Sequence, residues 1–164
     1  TQIVKILREK YGLNKMVTYT SRTMRPGEKE GIDYFFLTKE EFEKRINEGL
    51  PRLVVGILLY GIVVWFAGVW FVEEKVDYSI GLWYGIAIAI GMAIHMAYVI
   101  YDAVTFDGED GAKTRVAVKS VLRFLVVTIL FGILGYFNLG NLLAAFIGVR
   151  GLKVSAYLQP LFEK

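Results

Sequence analysis

Residues 53–72 run for 20 positions, and residues 79–101 for 23, without a formally charged side chain when His95 is neutral. About 20 apolar residues in a helix cover the hydrocarbon core of a bilayer. Only Glu73, Glu74, Lys75, Val76, Asp77 and Tyr78 separate the two runs. A soluble fold can bury one such helix, but two in close succession predict transmembrane helices. Residues 122–137 form a third apolar segment with Arg123 at its edge. Residues 142–158 form a fourth, interrupted by Arg150 and Lys153. The expected fold class is therefore mainly α, a polytopic helical membrane protein of about four spans.

Charge divides the chain in two. Residues 1–50 hold ten Lys/Arg and eight Asp/Glu, 18 of the 35 charges in 164 residues. A polar segment, 1–50, thus precedes a lipid-soluble domain, 51–164, with a seam at residues 50–52. The first segment is short for an independent core, because small domains bury proportionally little surface. Its charges run from Thr1 onward, which argues against a cleavable signal peptide there. The net charge of +3 is mild and points to no nucleic-acid partner. The absence of cysteine excludes disulfides and thiolate metal sites.

The distribution of charge in the loops predicts an orientation. Residues 73–77 carry three carboxylates against Lys75, whereas residues 102–123 carry Lys113, Arg115, Lys119 and Arg123. Arg52 precedes the first span and Lys164 ends the sequence. The positive-inside rule then puts both termini and the 102–121 loop in the cytoplasm, with a lipid bilayer as the first partner. Trp70, Phe71, Tyr78, Trp83, Tyr84, Tyr136 and Phe137 would form an aromatic belt at the outer interface.

In the second span Gly81, Gly85, Ala89, Ala93 and Ala97 recur every four residues. Small residues at that spacing let another helix backbone approach closely, which is how helices associate in lipid. The alternative is that Gly and Ala are simply common in membrane helices. Three polar side chains sit at membrane depth. His95, the single histidine, is flanked by Met92 and Met96. It is either a packed, hydrogen-bonded core histidine or a proton or metal site lacking a second ligand. Arg150 must face a cavity, a partner or the interface, and Lys153 can snorkel; alternatively the last segment is re-entrant and both cations are solvated. Asp107, Glu109 and Asp110, with Asp102 nearby, could attract a divalent cation, but their spacing matches no EF-hand and fits a solvated turn.

The string GIAIAIGMAIHM at residues 85–96, KSVLRF at 119–124 and GLKVSAYLQP at 151–160 carry a resemblance. Residues 52–164 look like the ATP synthase subunit I family of clostridial-type bacteria. The resemblance implies a small helical protein of the bacterial plasma membrane, associated with F-type ATP synthase. Such proteins help insert or assemble the ring of c subunits, and a role in magnesium supply is also implied. No catalytic residues come with it.

The polar segment reads as an α/β fragment. Residues 3–10 are helical in pattern, and residues 16–19 and 34–37 suit short strands. Thr38 with Glu41 makes a capping box for a helix over residues 39–48. Between the strands, Arg22 and Arg25 lie three apart among hydroxyl groups, with Tyr34 following. Arginine binds phosphate oxygens bidentately and stays charged, so the stretch suits a dianionic phosphate, or else it is a solvated basic turn.

Residues 1–49 resemble guanylate kinase at its GMP-binding segment. Thr18, Arg22, Arg25 and Tyr34 match positions that hold the nucleotide monophosphate in that family, which makes GMP a candidate ligand. Glu28, Gly31 and Asp33 complete the pattern, and residues 39–42 match the helix that follows. That family also uses a P-loop, a Gly-rich turn with a lysine, and none precedes Arg22 in this sequence. The likeness stops near residue 49, before the remaining guanine-contacting positions and the lid. Phosphoryl transfer depends on positioning and charge stabilisation, so no kinase activity is expected. The seam suggests a fusion, a misassembled reading frame, an engineered chimera, or a regulatory fusion that senses GMP.

Overall fold

The computed structural model describes residues 17–21, 23–105 and 109–159. Among these residues, two short strands, β1 (Thr18–Thr20) and β2 (Tyr34–Phe36), precede four helices: α1 (Lys39–Val69), α2 (Lys75–Thr105), α3 (Glu109–Tyr136) and α4 (Leu142–Leu158). The chain divides into two compact units, Thr1–Lys44 and Arg45–Lys164. The helix expected over residues 3–10 lies outside the described residues.

In the first unit the strands pair in parallel, with Thr18 opposite Tyr34, Tyr19 opposite Phe35 and Thr20 opposite Phe36. The Tyr19 and Phe35 rings stack at 5.1 Å on one side of this pair, and Tyr34 meets Phe36 edge-on at 6.1 Å. Two strands alone bury little, and Tyr19 and Phe35 stay exposed. Thr38 starts α1 as the sequence predicts. Its backbone N–H donates to Glu41 Oε2 at 2.9 Å, and Glu41 N–H donates back to Thr38 Oγ1 at 3.2 Å. This reciprocal pairing satisfies two N–H groups that a helix start otherwise leaves without partners.

The second unit is built on α2. Its buried centre comprises Ile57 of α1, Tyr78, Leu82, Ile86, Ala89 and Ala93 of α2, and Ala144 of α4. Helix α3 adds Leu134, which is fully buried. The helices differ in extent from the expected spans. Helix α1 runs to Val69 and passes through Pro51, where the sequence places a seam. Proline lacks an N–H and so leaves the carbonyl of residue 47 without its usual helical donor. Leu50 and Leu53, either side of Pro51, pack on the core and offset that loss. The helix stops short of residue 72 because the chain turns, with Phe71 N–H donating to the Gly68 carbonyl at 3.0 Å.

Among the described residues, three helices are long and apolar enough to cross a membrane: α1, α2 and residues 114–136 of α3. The expected fourth span is α4, which at 17 residues is shorter than the other three. It rises about 26 Å, below the roughly 30 Å of a typical hydrocarbon core. Its start is fixed by Asn141, whose side-chain oxygen accepts from Leu143 N–H at 2.9 Å and Ala144 N–H at 3.1 Å.

Candidate functional site

The first unit holds the sequence-predicted phosphate contacts on a parallel strand pair and the connection between its strands. Thr18 and Tyr34 are direct register partners, so the sheet brings these two positions side by side. Arg25 sits in the connection, at the first position of a tight turn through Pro26 and Gly27. Glu28 N–H donates to the Arg25 carbonyl at 3.1 Å, and Gly27 has φ +91°. Proline followed by a residue with positive φ is the requirement of a type II turn. The Glu28 carboxylate then accepts from Arg25 N–H at 2.9 Å, fixing the backbone that carries the guanidinium. Asp33 similarly accepts from Lys29 N–H at 3.0 Å, and Glu30 accepts from Phe36 N–H at 3.2 Å. The carboxylates named in the sequence pattern thus organise the loop. Thr18 and Arg25 are exposed and Tyr34 is half-buried, an open arrangement that a small anion can reach. Arg22 lies outside the described residues.

The second unit contains a seam of close backbone approach. A Cβ at Gly81 would fall on the Asn141 carbonyl, and one at Gly85 on the Ala145 carbonyl. Ala89 and Ala93 are buried on the same face, and Ala97 is half-buried. The small-residue face of α2 therefore meets α4 of the same chain. Helix α4 answers with Ala144, Ala145, Gly148, Gly151 and Ser155, all buried. Sequence reasoning missed this second stripe, although its spacing of three to four residues was readable. Arg150 and Lys153 interrupt the stripe in the sequence but stand on the opposite, exposed side of the helix.

Side-chain hydroxyls bind neighbouring helices across this assembly. Tyr60 donates to the Ile147 carbonyl at 3.2 Å, Tyr78 to the Val64 carbonyl at 2.9 Å, and Tyr84 to the Leu130 carbonyl at 3.0 Å. Gln159 reaches the Gly49 carbonyl at 3.2 Å. Those carbonyls belong to helices, so the added donors hold helices together while leaving their internal ladders in place.

The polar groups expected at membrane depth take different positions. Arg150 and Lys153 are exposed on the outer side of α4. His95 is half-buried, and its Nδ1 is buried without a hydrogen-bond partner among the described residues. Asp102 pairs with Lys119 at 2.7 Å, tying the end of α2 to α3, and Lys119 also lies 4.7 Å from the Tyr98 ring centre. The side chains of Asp107, Glu109 and Asp110 lie outside the described residues. Among the described residues, no three His, Asp or Glu side chains gather where they could hold a metal ion.

Comparison with known proteins bears on the first unit. The guanylate kinase family model matches residues 2–50. Guanylate kinase of Fusobacterium nucleatum is 52% identical over 45 residues, covering 27% of this chain and 24% of the relative. Guanylate kinase of Legionella pneumophila is 52% identical over 50 residues, covering 30% of this chain and 24% of the relative. A rice protein, guanylate kinase 2, chloroplastic/mitochondrial, is 44% identical over 59 residues, covering 36% of this chain and 20% of the relative. The chain thus spans about a quarter of the length of the curated bacterial relatives it matches. No solved structure matches it.

Proposed function

We propose that this chain is a non-enzymatic integral membrane protein that assists assembly or membrane insertion of the c-ring of an F-type ATP synthase. The observation that carries the membrane part is the distribution of apolar side chains around the second unit. Phe66 is 64% exposed, Phe124 66% and Leu143 76%, on three different helices. Helices apolar on every side suit lipid, where exposed leucine and phenylalanine cost nothing. The assembly part rests on the likeness of residues 52–164 to the ATP synthase subunit I family, together with the outer face of α3. There Leu125 and Ile129 are exposed and offer an apolar surface to a neighbouring transmembrane helix.

The small-residue face from Gly81 to Ala97 acts inside the chain in this reading, shaping α2 and α4 into a rigid pair. A c-subunit helix would then pack against α3. Co-expression of the tagged full chain with c subunits, followed by capture in mild detergent, tests the proposal. Recovery of c subunits is expected, and recovery should fall when Leu125 and Ile129 are both replaced by Trp. Failure to recover c subunits with the wild-type chain would overturn the assembly role.

A second reading follows from the family match over residues 2–50: the first unit binds a nucleotide monophosphate such as GMP without transferring phosphate. Thr18, Arg22, Arg25 and Tyr34 would make the phosphate contacts. Equilibrium dialysis of the full chain against labelled GMP tests it, with Arg25→Ala as the control. Magnesium transport through His95, Asp102 and the 107–110 carboxylates is a third reading, tested by uptake into proteoliposomes.

A further inference from the structure

Between α2 and α3 lies a groove of about 510 Å³, walled by Tyr84, Gly91 and His95 on one side and by Arg123, Val127 and Leu130 on the other. From Tyr84 to His95 it extends about 16 Å at 1.5 Å per residue. Its middle is open, because nothing lies within 4 Å of where a Cβ at Gly91 would stand. The wall is apolar except at the Arg123 end. Tyr84 spends its hydroxyl on the Leu130 carbonyl.

The charges near that end do not balance. Lys119, one turn before Arg123 on α3, is matched by Asp102 at 2.7 Å. Arg123 has no carboxylate partner among the described residues, only the Phe124 ring at 5.7 Å. Facing it, α2 offers His95, which brings no negative charge and has a buried Nδ1 without a partner among the described residues. A half-buried guanidinium beside an apolar groove calls for an anion attached to an apolar tail.

We propose that this groove is a binding site for one anionic phospholipid of the cytoplasmic leaflet. This inference rests on the membrane reading above. The Arg123 guanidinium holds the phosphate, and one acyl chain lies along Gly91 toward Tyr84. Arginine pairs with phosphate bidentately, and Arg123 lies in the cytoplasmic half of the third apolar helix, where its long side chain can snorkel toward a headgroup. Anionic lipids of that leaflet attract basic side chains near the surface.

The test uses the full chain reconstituted in vesicles of equal parts phosphatidylcholine and phosphatidylglycerol, re-extracted in mild detergent and weighed with its retained lipid by native mass spectrometry. Phosphatidylglycerol should be retained over phosphatidylcholine by about fivefold. Arg123→Gln should abolish the preference, Gly91→Leu should fill the groove and lower retention, and Lys153→Gln, outside the groove, should change neither. Equal retention of the two lipids, or a preference that survives Arg123→Gln, overturns the site. Alkaline carbonate washing of the same vesicles separates the two failures. A chain that washes off sinks the membrane reading and this site together, whereas one that stays but shows no preference sinks the site alone.

Discussion

The Ser155 hydroxyl donates to the main-chain carbonyl of Leu53 at 2.9 Å, joining two residues 102 positions apart. The contact lies where α4 crosses α1, opposite Gly56, whose missing Cβ leaves room for the Ser155 side chain. One hydroxyl thereby ties α4 to α1, while the small-residue face of α2 holds α4 and the Ile86 side chain of α2 meets α1 at Gly61.

That hydrogen bond is a minor contributor to stability. The Leu53 carbonyl lies within α1, and interhelical hydrogen bonds in lipid average about 0.6 kcal/mol. Ser155→Ala should therefore lower stability by about that amount, seen as a small shift in the thermal unfolding of the chain in detergent.

The α2–α4 seam is a different matter. A Cβ at Gly85 meets the Ala145 backbone, which cannot rotate aside as a side chain can. Gly85→Ala should cost about 1–3 kcal/mol or more by forcing the helices apart. Gly91→Ala, placed in the open groove, should instead be neutral or stabilise by up to about 1 kcal/mol, since alanine suits a helix better than glycine. The same thermal measurement compares the two variants directly.

Topology can be read with single cysteines, because the chain has none of its own. A cysteine at residue 75 should react with a membrane-impermeant maleimide from outside the cell. Cysteines at residues 113 and 164 should react only after permeabilisation. Reaction at 164 from outside would mean that α4, with its 17 residues, does not cross.

Phosphoryl transfer should be absent. A coupled assay of the full chain with GMP and ATP is expected to show no turnover above a no-protein control. Turnover would move the proposed function to the enzyme class.

Much of the first unit was legible because its signals are local. Thr38 and Glu41 are three residues apart, and a capping box needs nothing beyond that spacing. Pro26 and Gly27 announce a turn by their own backbone preferences. The parallel pairing of Thr18 with Tyr34 was not readable, because pairing is a relation between strands and alternation within each strand leaves it open. The continuation of α1 through Pro51 was also missed, since it depends on how Leu50 and Leu53 pack.

The sequence by itself determined that the second unit is helical and has stretches suited to lipid. Run length and the absence of charge are properties of each segment alone. It also marked Gly81, Gly85 and Ala89 as a face that admits another backbone. Only the tertiary structure decided that the backbone is that of α4, within the same chain, and that His95 and Arg123 come to line one groove. A stripe of small residues fixes how near a helix can come, whereas the choice of helix depends on which complementary surfaces the connecting turns bring into reach.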